Sequence, residues 1–477
     1  MKFQLRLLLI PIGVVVGSGL FLWMVRRPGI FASSKTLGAI LMAEIVVGCL
    51  WRFDKVFFPV TMGCFLLAGT PMPFSGESLI LRWLFLAVGA LVGFILWMRT
   101  NRTQHFATFH LVALFCVLSA LASASASNSP SVGSLKTGSL FLLFLYCATG
   151  VRVALAGNER SLVGGLVVSC EVVVFITAAA YFLGFNILGD PNNLGAFIGV
   201  IATPILLWGA LTAGDRVQRR RRYVALGLCA VLLYLTVCRA AIVADMIVAL
   251  VLTVGLRRPR MLVRAAFAGV LLLELMAVTN PTHTGEFLDS LSGRFILKAG
   301  RTHVGVLASR QSPWDETISA VRRHPWFGTG FGTSEMTAER PEAESSSVYT
   351  LNGSNREHGS SYLALAEYMG MLGILPFVLL LILLIRATVC AYSWMHKARS
   401  PYHYAVPFAL VTIAGLIHAA FEDWLFAPGS YICLFFWASA FLLIDLTAKK
   451  SGEARSAVAQ PIPLFVESGL RRSATSL

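Results

Sequence analysis

Charge is scarce in this chain. Only 13% of its 477 residues are Asp, Glu, Lys or Arg, about half the share found in an ordinary soluble domain. Together with 56% hydrophobic residues and a mean hydropathy of +0.73, this speaks against a soluble enzyme and for a polytopic membrane protein. Cysteine pairs are missing too. There is no CxxC, and all nine cysteines lie in or beside apolar runs, so neither a zinc site nor a disulfide framework is supported. The apolar runs are continuous rather than alternating, which speaks against a β-barrel. Helices then remain the way to pair the backbone within lipid. No two halves of the chain resemble each other, which argues against an inverted-repeat transporter.

What is present is a long series of apolar segments. Runs near 7–25, 36–51, 79–98, 106–126, 137–155, 162–184, 194–213, 223–238, 240–256, 261–279, 369–389, 403–421 and 429–446 approach the length needed to span, which is ~20 residues. A shorter run covers 56–70. The expectation is an all-α polytopic membrane protein of 12 to 14 helices. Lys2 and Arg6 precede the first apolar run. No small-x-small cleavage site follows, so the run reads as a retained span.

The net charge of +15 has a topological reading. Arginines gather between apolar runs, in "DRVQRRRRY" (215–223) and "LRRPR" (256–260). These read as cytoplasmic loops under the positive-inside rule, and not as a nucleic-acid surface. With the tail from 447 inside, 98–104, 215–223, 256–260 and 395–400 all fall inside. Segments 127–136, 185–193, 280–368 and 422–428 fall outside. The predicted organisation is an N-terminal helical part over 1–184, a second membrane part over 185–446 that includes the outer segment 280–368, and a disordered cytoplasmic tail over 447–477.

The outer segment is too long for a plain connector and so is expected to be functional. "SPWDETISAVRRHPW" (312–326) reads as a short helix with Ser312 as N-cap and Pro313 at its first position. Trp314, Ile318 and Val321 lie on one face, and His324–Pro325 ends the helix. "WFGTGFGTSE" (326–335) is a glycine-rich turn. It has neither a preceding strand nor a Lys-Ser/Thr pair, which excludes a nucleotide P-loop.

Several residues could carry chemistry. Arg239, at the join of two apolar runs, reads either as interface snorkelling or as an anion site for a lipid phosphate. Arg310, with Arg294 and Arg301 nearby, makes the outer segment basic and suited to bidentate contact with a pyrophosphate. His358 lies just before the helix expected from Ser360 and is a candidate general base. Tyr362 and Glu367 follow it, and Glu367 could orient a partner. Glu44, Arg82, Glu171, Asp245 and His418 are polar residues within apolar runs. Glu422 and Asp423 stand at the mouth of the penultimate span. Such groups are expected to pair inside the bundle.

Taken in order, these stretches resemble a known family. "GDPNNLGAFIGV" (189–200), "TVCRAAIVADMIVALV" (236–251), "SRQSPWDETISAVRRHPWFGTGFGT" (309–333) and "HGSSYLALAEYMGMLGILPF" (358–377) are similar to the successive motifs of the O-antigen ligase and polymerase superfamily. The match covers roughly 185–390. Two positions depart from the pattern: Cys238 replaces a serine, and Gly359-Ser360-Ser361 replaces the asparagine after the motif histidine. The resemblance implies a GT-C-like fold in the bacterial inner membrane, with the large segment periplasmic and the C-terminus cytoplasmic. It implies a glycosyltransferase that moves a glycan from undecaprenyl pyrophosphate to lipid A core, polysaccharide or protein, with no metal or other cofactor and no nucleic-acid partner. It assigns the pyrophosphate to Arg239 and Arg310 and the acceptor to His358; Arg301, Tyr362, Glu367 and Glu422 are supporting candidates by their position in the sequence alone. The competing readings are a transporter or flippase for the same lipids, or a non-catalytic assembly component.

Overall fold

The computed structural model describes residues 44–70, 75–99, 106–127, 129–156, 159–185, 191–236, 238–258, 260, 308–334 and 358–448. These residues are helical almost throughout and contain no strand, as an all-α polytopic membrane protein requires. In chain order the helices are α1 (Phe58–Ala68), α2 (Ser75–Arg99), α3 (Thr108–Ser125), α4 (Pro130–Ala148), α5 (Gly150–Leu155), α6 (Glu159–Phe182), α7 (Pro191–Ala196), α8 (Thr203–Thr212), α9 (Arg216–Thr236), α10 (Arg239–Gly255), α11 (Ala308–Arg323), α12 (Ser361–Gly373), α13 (Leu375–Ala398), α14 (Ala405–His418) and α15 (Tyr431–Ala448). Among the described residues, seven helical segments are long and apolar enough to cross a membrane. The expected spans at 7–25 and 261–279 lie outside the described residues.

The described residues belong to two units, one within Met1–Arg102 and Leu145–Asn158, the other within Thr103–Phe144 and Glu159–Leu477. In the first, Phe57 has no exposed surface and sits between the rings of Phe85 and Tyr146. Tyr146 reaches Thr61 with its hydroxyl at 3.4 Å. The second unit carries the candidate site. Its centre is α15, where Trp437, Phe436 and Leu443 have no exposed surface. A helix that is apolar on every side is a core helix. By contrast, α13 has two apolar faces with different surroundings. Phe377, Leu380, Leu384 and Ala391 are buried, while Leu375, Val378, Leu379, Ile382, Ile385 and Val389 are exposed. An exposed apolar face at helical spacing is the surface a lipid-facing helix presents.

Three local expectations are corrected. Ser312 is not an N-cap, because the helix begins a turn earlier at Ala308 and holds Pro313 in its interior. The fixed φ of proline fits a helix, so only one backbone hydrogen bond is lost, and Ser312 Oγ instead reaches Glu316 Oε1 at 3.2 Å. The added turn makes Arg310 part of a helix, which fixes its direction. The span expected from 369 begins at Leu375, because Gly370 has φ +60 and breaks the helix. Residues 216–223 form the first turns of α9 rather than a loop.

That last difference has a cause in charge pairing. Arg222 is buried, donating to Glu171 Oε1 at 2.9 Å and to the Gly209 carbonyl at 2.6 Å. Arg221, half exposed, meets the other oxygen of Glu171 at 2.5 Å. A buried carboxylate with two arginines anchors α9 to α6, and removing one buried partner strands the other. Glu171→Leu should therefore lower stability by roughly 3 kcal/mol. Arg221→Ala should cost under about 1 kcal/mol. Thermal unfolding of the detergent-solubilised protein checks both, and equal melting temperatures for Glu171→Leu and wild type would refute the anchor.

Candidate functional site

The site is built on Ser361, the first residue of α12. Its amide donates to the Ala419 carbonyl at 2.9 Å and lies 3.1 Å from that of Glu422. Its hydroxyl donates to Glu422 O at 2.6 Å and accepts from the amides of Trp424 and Leu425 at 3.0 and 3.1 Å. Tyr362 donates from its hydroxyl to the Leu416 carbonyl at 2.7 Å. Two consecutive side chains thus fasten the end of α14 and the loop after it, residues 419–425, to the start of α12. The carbonyls left over at a helix end need such partners inside a membrane protein.

This fastening sets the next two side chains, Glu422 and Asp423. Glu422 forms an ion pair with Arg310 of α11, both side chains being partly exposed. Asp423 Oδ2 lies 2.6 Å from His358 Nδ1. The other ring nitrogen, Nε2, lies 3.1 Å from Ser334 Oγ and 3.3 Å from Glu367 Oε2. His358 and Glu367 have no exposed surface, whereas the Asp423 side chain is 23% exposed. The Tyr368 ring packs edge-on to the imidazole, 5.1 Å between centroids.

Burial alone would lower the basicity of His358. Hydrogen bonds and charge from Asp423 and Glu367 more than reverse this and push its pKa up to about 9. The imidazole is therefore a cation at neutral pH, with both nitrogens engaged.

Gly359 explains a departure noted in the sequence. It has φ +64, in the left-handed region that glycine enters freely and asparagine more readily than other residues. Both residue types therefore tolerate that backbone conformation. Its carbonyl accepts from Trp314 Nε1 at 3.2 Å. A Cβ there would come within 3.1 Å of Arg310 Cδ, so Gly359 also helps seat the arginine.

The glycine-rich turn has a structural task. The amides of Thr329 and Gly330 donate to the carbonyls of Glu367 and Tyr368 at 2.8 and 3.2 Å, and those of Met371 and Leu372 donate to Pro325 and Trp326 at 2.7 and 3.1 Å. The turn pairs with the backbone released where Gly370 breaks the helix, and this pairing holds Glu367 against His358. Lys136 of α4 donates to the Gly332 carbonyl and lies close enough to Asp423 for their charges to interact.

The predicted site residues are thus partly assembled. His358, Glu367, Glu422, Arg310 and Tyr362 converge on one end of the second unit. Arg239 is half-buried and follows Cys238, whose sulfur lies 3.9 Å from His418 Nε2. His418 Nδ1 accepts from Trp424 Nε1 at 2.8 Å. Arg239 therefore begins α10 two contacts away from the same loop. Arg301 lies outside the described residues. Sequence reasoning missed Ser334, Ser361 and Lys136, and noted Asp423 only as a polar residue at a helix mouth. For Asp423 the signal was its place beside Glu422, two acids together in a short apolar-flanked loop.

The raised pKa of His358 has a consequence for stability. A histidine whose folded pKa lies above its unfolded value of 6.5 stabilises the fold fully below pH 6.5, and that contribution disappears as pH rises through about 9. Its size is on the order of 3 kcal/mol. The melting temperature should fall between pH 7 and 10, and His358→Gln should flatten that dependence. An unchanged slope in the variant would show that the imidazole is not the group responsible.

Residues 224–378 match the family described as O-antigen ligase. The matched stretch contains α10, α11, α12 and the start of α13, and with them Arg239, Arg310, His358 and Glu367. No curated protein matches the chain. Within a helical membrane fold, residues 224–378 are thus similar to the O-antigen ligase family, which supports a role in glycan assembly.

Proposed function

We propose that the chain transfers a glycan from undecaprenyl pyrophosphate to an acceptor hydroxyl on lipid A core, polysaccharide or protein, at the periplasmic face of the bacterial inner membrane. One observation carries this reading. The adjacent residues Glu422 and Asp423 join a phosphate-binding type of side chain, Arg310, to a proton-handling pair, His358 with Asp423. Glycosyl transfer needs those two functions side by side, one for the leaving group and one for the nucleophile.

The charge distribution supports the assignment of faces. Arg257 and His396 meet side chain to side chain at 3.1 Å, which brings the basic segments 256–260 and 395–400 together. The helix between Arg239 and Gly255 separates that end from the Cys238–His418 contact by about 25 Å, close to the thickness of a hydrocarbon core. Basic segments mark the cytoplasmic side, so the site opens to the periplasm and the C-terminus lies in the cytoplasm.

In this reading Arg310 and Arg239 hold the pyrophosphate. A guanidinium presents paired donors to phosphate oxygens and keeps its charge at any physiological pH, so it stabilises the charge that grows on the leaving oxygen without a metal ion. Glu422 holds Arg310 in place until the donor arrives, when the pyrophosphate competes for the same donors. The His358–Asp423 pair handles the acceptor.

The test is release of undecaprenyl pyrophosphate from a lipid-linked glycan supplied to membranes that contain the protein. Arg239→Ala, Arg310→Ala and His358→Ala should each slow release by about 100-fold or more at normal protein levels. Release by all three at the wild-type rate would sink the reading. Movement of the lipid across liposomes with no release of undecaprenyl pyrophosphate would make the protein a transporter instead.

A further inference from the structure

Glu422 is committed to its ion pair with Arg310; of the three remaining groups in the site able to take up a proton, only one faces outward. His358 has no exposed surface, and both its nitrogens are engaged, Nδ1 by Asp423 and Nε2 by Ser334 and Glu367. Glu367 is equally enclosed, with the glycine-rich turn paired to its backbone. An acceptor hydroxyl must come within hydrogen-bond distance of its base, and neither of these groups offers an open approach. Asp423 does: its side chain is 23% exposed, on the loop that also carries Glu422 to Arg310.

We propose that Asp423 is the catalytic residue that accepts the proton of the acceptor hydroxyl, and that His358, backed by Glu367 and Ser334, is the positioning residue that fixes it. Lys136, from α4, is the second cation facing Asp423. This assignment rests on the glycan-transfer reading and divides the labour within its site.

The chemistry is balanced. The acceptor oxygen forms a bond to the anomeric carbon as its proton passes to a carboxylate oxygen of Asp423. The bond from the anomeric carbon to the pyrophosphate oxygen breaks, and its electron pair stays on the pyrophosphate beside Arg310. Asp423 then returns the proton to solvent. A carboxylate is an adequate base because the hydroxyl becomes acidic only as its oxygen bonds to an electron-poor carbon, as in inverting glycoside hydrolysis, where a carboxylate activates water. Asp423 is set between His358 on one side and Lys136 on the other.

The two assignments give opposite pH dependence. The charged groups facing His358 are Asp423 from the 419–425 loop and Glu367 from α12. Arg310 and Lys136 are the cations of α11 and α4 near the same loop. If Asp423 is the base, His358 must stay protonated, and release should hold steady from pH 7 and fall as pH rises through about 9. If His358 is the base it must be neutral, and release should climb toward pH 9.

The experiment uses the full chain in proteoliposomes with undecaprenyl-pyrophosphate-linked glycan extracted from the source bacterium, its membranes supplying the acceptor. Release of undecaprenyl pyrophosphate is followed against pH. Asp423→Gly should release at least 100-fold more slowly, and added formate should restore at least tenfold by taking the place of the missing carboxylate. His358→Gln should keep a measurable rate while losing the alkaline fall. A wild-type rate that rises through pH 9 overturns the proposal, as does an Asp423→Gly variant that is active without formate or one that folds and stays inert with it. Should Asp423→Gly fail to fold, the wild-type pH profile alone decides. Wild-type protein that releases nothing at any pH defeats the transfer reading itself, a result distinct from all of these.

Discussion

A protonated imidazole enclosed between two carboxylates is unstable in any environment that lacks one of them, and this requirement organises the site. His358 needs Asp423 on Nδ1 and Glu367 near Nε2. Asp423 reaches it because Ser361 ties the 419–425 loop to the start of α12. Glu367 reaches it because the helix breaks at Gly370, where the glycine-rich turn satisfies the released backbone. Each support is a backbone or hydroxyl hydrogen bond, and Ser361 and Glu367 are buried, where an unmade bond is costly. In a chain where apolar burial cannot by itself decide how helices meet within lipid, such polar contacts supply the specificity.

The same logic holds further from the site. Glu171 with Arg221 and Arg222 joins α6 to α9, and Trp208 donates to the Pro401 carbonyl at 2.7 Å to join α8 to the segment before α14. Tyr431 donates to the Asn193 carbonyl at 2.6 Å, bringing the start of α7 to the start of α15. Few polar groups are present, and many of those described are committed to holding one element against another.

Much of the architecture was legible in the sequence because hydrophobic length is a direct physical signal. A run of about 20 apolar residues has few fates other than a membrane helix. Helix starts were less legible. Pro313 invited a boundary, since proline favours the first turn, yet its φ also fits a helix interior, and only the added turn from Ala308 shows which applies. The arginine run at 215–223 reads in the sequence as charge alone, because no spacing rule links Arg222 to Glu171, fifty-one residues away. At the site, Arg310 and His358 were marked by residue type. Asp423, Lys136 and Ser361 were not distinguished, because their significance comes from contacts between separate stretches of chain. A serine among serines in "HGSSY" gives no hint that one hydroxyl will organise a loop sixty residues later.

The neighbouring positions of Glu422 and Asp423 also act as a molecular ruler. One trans peptide unit, about 3.8 Å between Cα atoms, sets the distance between the residue that meets Arg310 and the one that meets His358. That spacing is covalent and does not depend on what lies further along a sugar chain. Under the proposed glycan transfer, a site measured this way would fix the geometry at the bond being exchanged and leave the length of the glycan beyond it free.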